Sequence, residues 1–211
     1  MNIITIDPSI NCTAMVIDDK KFIITHNSYA NNKTGYNKWF ATCEPLLNYH
    51  VMADLILDND YSKSEIQKIK RYNDIALFIF DTISKECRAD IKLFLEGYSY
   101  SSNAGPLIDL VTLSTAIRLK CLALTDSVTI ISPKTLKSLT AKWAYQPIQV
   151  KKKIEYRNKD GVAGGKFTKT EMCKAIIESD ITCDWSTFLR DNSELILKNK
   201  NIPKPIEDIN D

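Results

Sequence analysis

Apolar residues fall in short blocks at the start of the chain and at helical intervals further on. Ile3-Ile4-Thr5-Ile6 closes on Asp7. Pro8-Ser9-Ile10-Asn11 then turns the chain into Ala14-Met15-Val16-Ile17, and Asp18-Asp19-Lys20 turns it again into Phe22-Ile23-Ile24. Three apolar runs joined by tight turns predict an antiparallel meander. Residues 26–61 are polar and Asn-rich, interrupted by Tyr29, Tyr36, Trp39 and Tyr49, a pattern that predicts only a short helix near Trp39. Ser62-Lys63-Ser64-Glu65 has capping-box spacing, and Ile66, Ile69, Tyr72, Ala76, Ile79 and Ile83 follow at intervals of three and four. This predicts a long amphipathic helix ending near Asp90.

A buried strand is then expected at Ile91-Lys92-Leu93-Phe94-Leu95, closing on Glu96. Leu107, Leu110, Val111, Ser114, Ile117, Leu119 and Leu122 carry a second helix, and Val128-Thr129-Ile130-Ile131 reads as another strand. Pro133 suits the first turn of a helix running to about Trp143, where its missing N–H costs nothing. Residues 144–166 mix charges with Pro147, Gly161, Gly164 and Gly165 and read as a loop or hairpin. Met172, Ala175, Ile176 and Ile177 form a helix opened by Thr168. The alternation predicts an α/β fold with helices packed on one central sheet.

Composition narrows the class. A chain of 211 residues with 44% hydrophobic content can bury one sizeable core, and no Pro/Gly/Ser-rich linker divides it, so a single domain over 1–211 is expected. Its apolar runs stop well short of the ~20 residues of a membrane span, and a soluble, intracellular protein is expected. The six cysteines (Cys12, Cys43, Cys87, Cys121, Cys173, Cys183) are widely scattered, and only His26 and His50 could join them. Reduced, buried thiols are expected rather than a zinc site.

Charge is unevenly distributed. Of 28 Lys/Arg and 26 Asp/Glu, ten bases (Lys134, Lys137, Lys142, Lys151, Lys152, Lys153, Arg157, Lys159, Lys166, Lys169) and two acids (Glu155, Asp160) lie between Pro133 and Lys169. That segment is +8, and the remaining 18 bases and 24 acids leave −6 elsewhere. A focused basic segment on an otherwise acidic molecule fits a polyanion such as nucleic acid, although Lys151-Lys152-Lys153 alone reads equally as a solvated loop.

Asp7 and Glu96 each end an apolar strand, and they become neighbours if those strands pair in parallel. Asp208 and Asp211 are spaced i and i+3, so one helical turn beginning after Pro203 and Pro205 would face them alike. Gathered carboxylates repel and are costly to desolvate, and a divalent cation offsets both. Oxygen ligands suit Mg²⁺, and two ions ~4 Å apart serve phosphodiester hydrolysis by activating water and stabilising the departing oxygen. The plain alternatives are a turn-forming Asp7-Pro8 and a solvated acidic tail.

These residues resemble the RuvC-type Holliday junction resolvases of the RNase H-like superfamily, especially divergent phage-type members. Ile6-Asp7-Pro8-Ser9 with Thr13-Ala14 resembles the first acidic motif, and Leu95-Glu96-Gly97-Tyr98-Ser99 the second. Ser132-Pro133 with Leu136-Lys137 resembles the helix that carries a basic residue. Gly165-Lys166-Phe167-Thr168-Lys169 with Met172 resembles a later glycine-then-lysine element, and Asp208-x-x-Asp211 the last acidic pair.

The resemblance implies an RNase H-like fold with a central mixed five-stranded sheet, an antiparallel meander plus parallel strands, flanked by helices. The basic stretch at about 144–166 would be an insertion. It implies Asp7, Glu96, Asp208 and Asp211 as ligands of Mg²⁺, with two ions and Mn²⁺ as a substitute. Lys137 and Lys169 would stabilise charge at the scissile phosphate. Ser9, Tyr98, Ser99, Tyr100 and Asn103 would approach DNA, and Lys134, Lys151, Lys152, Lys153 and Lys166 would extend the basic face. Such enzymes are homodimers that nick four-way DNA junctions in pairs, and the helix from about Gly105 to Leu124 resembles the dimer helix. Ser99 stands where bacterial members carry an aromatic wedge, with Tyr98 and Tyr100 on either side. Two readings stay open beside the resolvase: a broader debranching nuclease on the same scaffold, and a non-catalytic DNA-binding module. A sugar kinase or actin-like ATPase also begins with a strand-ending Asp, but it needs glycine-rich phosphate loops, and the six glycines here form no G-x-G.

Overall fold

The computed structural model describes residues 1–31, 38–98, 104–151, 153–198 and 201–210. Its sheet begins as the apolar blocks predict: β1 (Asn2–Asp7) pairs antiparallel with β2 (Cys12–Ile17), and β2 with β3 (Lys20–His26). Asp18, in the turn between β2 and β3, adopts a positive φ of 51°. Its carboxylate accepts the Ile3 N–H at 2.9 Å and the Asn2 amide at 2.7 Å, which ties this turn to the start of β1. Asp tolerates this left-handed backbone better than most residues and makes the local hydrogen bonds that repay it.

Two short helices follow, α1 (Asn27–Ala30) and α2 (Lys38–Cys43), then a 3₁₀ turn at Glu44–Leu46 and β4 (Asn48–Met52). α3 (Tyr61–Glu86) leads into β5 (Ile91–Glu96), and α4 (Ala104–Leu122) into β6 (Val128–Ile131). Next come α5 (Pro133–Ala144), a hairpin of β7 (Pro147–Val150) and β8 (Lys153–Tyr156), and a 3₁₀ turn at Gly164–Lys166. The chain continues through α6 (Lys169–Glu178), α7 (Asp184–Asp191), α8 (Ser193–Leu197) and α9 (Ile206–Asn210).

The main sheet has the order β4-β3-β2-β1-β5-β6, and β5 runs parallel to both β1 and β6. An antiparallel meander joined to parallel strands and covered by helices is the α/β, RNase H-like layout expected. It has six strands, however, where five were expected. The extra strand is β4, which pairs parallel with β3 at the sheet edge. Asn48-Tyr49-His50-Val51-Met52 carries no aliphatic run, and none of its residues is fully buried, so hydrophobic patterning gave no sign of it. Main-chain pairing holds it, aided by His50 stacking on Phe78 of α3 with ring centroids 3.8 Å apart.

Alternation along the strands sends side chains to two cores. Ile4, Ile6, Met15, Ile17, Phe22, Ile24, Leu93 and Leu95 meet Ile79 and Ile83 of α3 and Leu113 and Ile117 of α4. On the opposite face Cys12, Ala14 and Ile23 meet Trp39, Cys43, Cys173, Trp185, Leu189 and Ile206. Fully enclosing an Ile or Leu contributes roughly 1.5–3 kcal/mol, so these two faces dominate the stability of the sheet. A third cluster, Ala141, Phe167, Met172 and Ala175, joins α5 to α6 beneath the hairpin.

Helix ends follow local chemistry, with one departure. Thr168 opens α6, as expected, and forms a reciprocal capping box with Glu171; Pro133 sits in the first turn of α5, as expected, with Ser132 accepting the Thr135 N–H. The long helix does not use Ser62. Asp60 caps it by accepting the Lys63 N–H at 2.9 Å, because a carboxylate two residues upstream competes well for the same free amides. Ile66 and Ile69, expected on its buried stripe, are exposed instead, and burial starts at Tyr72. All six cysteines are free, but Cys87 is only half-buried and Cys183 is exposed: it sits at the N-cap of α7, where its Sγ accepts the Ser186 N–H at 3.4 Å. Among the described residues no helix is long and apolar enough to cross a membrane.

Gly164 lets the segment before α6 lie directly on α5. A Cβ there would come 2.4 Å from Ala141 Cβ, with the α5 backbone immediately behind. Gly164→Ala is therefore expected to destabilise the fold by about 1–3 kcal/mol, read as a lower urea midpoint at unchanged slope. A midpoint equal to wild type would mean that the two segments are not in contact.

Candidate active site

The parallel register of β1 and β5 decides the site. Ile6 lies opposite Leu95, and the next residue on each strand, Asp7 and Glu96, emerges at the same carboxyl edge. Open α/β sheets present ligands at this edge, because the chain leaves the sheet there and opens a crevice. On the far side of Glu96 the chain stays close to β6: the Gly97 N–H donates to the Ile131 carbonyl at 2.7 Å, and a Cβ on Gly97 would sit 3.3 Å from that oxygen.

Asp7 and Glu96 stand close enough at this edge for the two carboxyls to act directly on each other. Burial pushes the Asp7 carboxyl well above its ordinary value, and the hydrogen bond and negative charge of Glu96 push it further. Lys169 opposes the shift and Asp208 adds to it.

Around the pair lies a cleft of about 420 Å³. Asp7, Ser9, Glu96, Tyr98, Lys137, Lys169 and Asp208 all line it, drawn from β1, β5, α5, α6 and α9. Lys137 lies on α5 and Lys169 is the first residue of α6, so two helices each contribute one ammonium to the acidic floor. Ser9 is held by Thr13, whose hydroxyl donates to the Ser9 carbonyl at 2.7 Å and accepts its N–H at 3.1 Å. Tyr98 turns toward α4: Arg118 donates to its hydroxyl at 2.7 Å and lies 4.3 Å over its ring.

The remaining sequence candidates divide in two. Lys134, Lys151, Lys153 and Lys166 are exposed and lie outside the cleft lining: Lys134 on α5, Lys151 in the hairpin turn, Lys153 on β8 and Lys166 in the 3₁₀ turn. Ser99, Tyr100, Asn103, Lys152 and Asp211 lie outside the described residues.

Asp208 is 2% exposed and ion-paired to Lys204, a residue that sequence reasoning overlooked. Lys204 also lies 3.4 Å from Glu207, and both Lys204 and Glu207 line the cleft. The clue was available, since Lys204 precedes Glu207 and Asp208 by three and four residues, the helical contact spacing. Burial raises the Asp208 pKa although Lys204 draws it down, and the Cys12 thiol lies against the same carboxyl. Asp208 Oδ2 is buried with no hydrogen-bond partner. Among the described residues no three acidic, histidine or cysteine side chains converge closely enough to hold an ion.

The fold and cleft define an α/β protein of RNase H-like layout with an acidic pair at the edge of its central strands. No family model matches the chain, and no curated protein matches it. Two similar solved structures are of RuvC from Thermus thermophilus. One is 11% identical with a TM-score of 0.41, over 100% of this chain and 89% of that one. The other, RuvC in complex with a Holliday junction substrate, is 10% identical with a TM-score of 0.43, over 100% and 88%. Similarity this low leaves the fold assignment to the strand order and register described above.

Asp7 and Asp208 are both harder to ionise folded than unfolded, so the folded chain binds more protons above the ordinary value of 3.8. The contribution of these two groups to stability is then greatest below that value and declines as pH rises through the raised values. In chelator-treated protein, the urea midpoint is expected to fall as pH is raised from 3.8. Asp7→Asn should flatten the decline and leave the Asp208 part. An unaltered slope in that variant would remove Asp7 from the account.

Proposed function

We propose that this chain is a Mg²⁺-dependent, structure-specific DNA endonuclease that resolves four-way junctions by paired phosphodiester hydrolysis. The observation that carries the reading is the Asp7–Glu96 pair, forced into contact at the ends of parallel strands and faced by Lys137 and Lys169. Such a pair is a costly arrangement unless a cation or a shared proton relieves it.

The donor set fits a hard divalent ion. Every candidate ligand is a carboxylate, and Asp208 Oδ2 is a buried acceptor without a donor. Asp7 and Glu96 would hold Mg²⁺, or Mn²⁺ in its place, with Asp208, and with Asp211 as the resemblance implies. When bound, the metal, as one or two ions, supplies positive charge that makes water a better nucleophile and stabilises the departing oxygen. Asp208 or Asp211 orients the attacking water or accepts its proton. Lys137 and Lys169 bind the scissile phosphate and offset the charge that develops on it, from fixed positions at little cost in reorganisation. Ser9 and Tyr98 approach the DNA beside the cut.

The exposed lysines of α5, the β7–β8 hairpin and the 3₁₀ turn continue the positive face beyond the cleft, as the basic insertion of a single nuclease domain, and supply the salt-sensitive part of binding. A homodimer fits the outer surface of α4, where Ile108, Val111, Leu119 and Leu122 are exposed. Ile66 and Ile69 of the adjoining α3 are exposed too, beside the Lys68–Asp109 ion pair that links the two helices. An apolar surface of this kind is uncommon on a monomer. Intracellular action on branched DNA, in a phage-infected cell or otherwise, follows from the same reading.

One observation favours the non-catalytic alternative: Asp208 is paired with Lys204, and no three-ligand group forms among the described residues. The two readings separate in one assay. Wild type should nick a synthetic four-way junction with Mg²⁺, while Asp7→Asn and Glu96→Gln bind it but cut slower by on the order of 10³-fold or more. Junction binding without cutting by wild type selects the binding module. Comparable cutting of three-way and flap DNA selects the broader nuclease. Cutting by either variant at the wild-type rate rejects the site.

A further inference from the structure

Lys204 occupies an unusual place for a lysine. It directly precedes Pro205, one turn ahead of the acids of α9, and its side chain is only 17% exposed inside the acidic cleft. It bonds Asp208 at i+4 and reaches Glu207 at i+3, at 3.4 Å. Removing one member of a buried pair leaves an uncompensated charge, so Asp208 cannot part from Lys204 unless another cation takes over. Oδ1 carries the lysine contact, while Oδ2 stays buried and unpartnered. Lys204 thus engages one of the two oxygens, and the Cys12 thiol is the other group that lies against this carboxyl.

We propose that Lys204 is a tethered stand-in cation: it holds the third carboxylate folded into the cleft before a divalent ion binds, and it competes with that ion for Asp208. This rests on the proposed metal site and adds a regulatory residue to it. Lys204 acts through Asp208 and is a positioning residue. Its charge sets the ion concentration at which the cleft fills, because a ligand must displace what already satisfies its donor. Losing the lysine therefore has two opposite effects. The ion-free protein loses a buried ion pair and unfolds sooner, while the ion meets less competition.

The test is thermal unfolding of the full chain, chelated and then titrated with Mn²⁺ or Mg²⁺ in the absence of DNA. Lys204→Met should lower the ion-free Tm and reduce the ion concentration for half-maximal stabilisation by roughly tenfold. Lys204→Arg keeps the charge in a fork that grips a carboxylate through two N–H groups. It should hold the ion-free Tm and raise that concentration. A purely structural lysine would lower Tm in Lys204→Met and leave the half-saturation point unmoved, which overturns the inference alone. Absence of any ion-dependent shift in wild type overturns the inference and the metal site together. Should Lys204→Met fail to fold, the Arg variant decides: an unmoved or lowered half-saturation point overturns the proposal.

Discussion

The parallel pairing of β1 with β5 is the constraint on which the rest depends. Parallel strands cannot be joined by a tight turn, so the chain between them must travel back over the sheet. Here that journey includes β2, β3, β4 and α3. The reward is that both strands end at the same edge, and their final residues are carried out of the core side by side. Two acids more than eighty positions apart thereby become contacting neighbours. Neither turn chemistry nor a helical interval could bring them together with the same rigidity, since the hydrogen-bonded ladder fixes both backbones up to Leu95.

The electrostatics follow from that geometry. A buried carboxyl beside a second carboxyl is harder to ionise, Lys169 opening α6 works against this, and Lys137 on α5 and Lys204 ahead of α9 line the same cleft. α5 and α6 are packed against each other through Ala141, Phe167, Met172 and Ala175, which fixes the two lysines they carry relative to one another. The apolar third cluster is in this sense a support for charge. The cleft pairs a negative floor with a positive rim, a distribution suited to a phosphate whose oxygens face both.

Much of this architecture was legible in the sequence because burial is periodic. The apolar runs at Ile3–Ile6, Ala14–Ile17, Phe22–Ile24 and Ile91–Leu95 became strands, and the strand-ending acids could be recognised from the runs they close. β4 stayed hidden since an edge strand held by backbone pairing needs no aliphatic alternation. The first turns of α3 misled in the other direction: Ile66 and Ile69 keep the helical rhythm yet face outward, and periodicity cannot say whether an apolar stripe meets its own core. Lys204 escaped notice because a lysine beside prolines resembles a solvated tail residue, and only tertiary burial turns it into a partner for Asp208. The outward-facing lysines of the hairpin and the 3₁₀ turn were visible as charge density, but density along the chain does not tell which ammoniums reach the cleft floor.

α9 has a consequence for how the protein is made. It sits against β2, one of the first strands to leave the ribosome, with Trp185 donating to Asn210 at 2.9 Å and Ile206 sealing the core beneath it. During translation the meander can form early, whereas the acid that α9 delivers joins only after all the elements between β2 and α9 have been synthesised. A nascent or prematurely terminated chain would carry Asp7 and Glu96 without their third companion. The floor of the cleft would stay incomplete until α9 docks against β2.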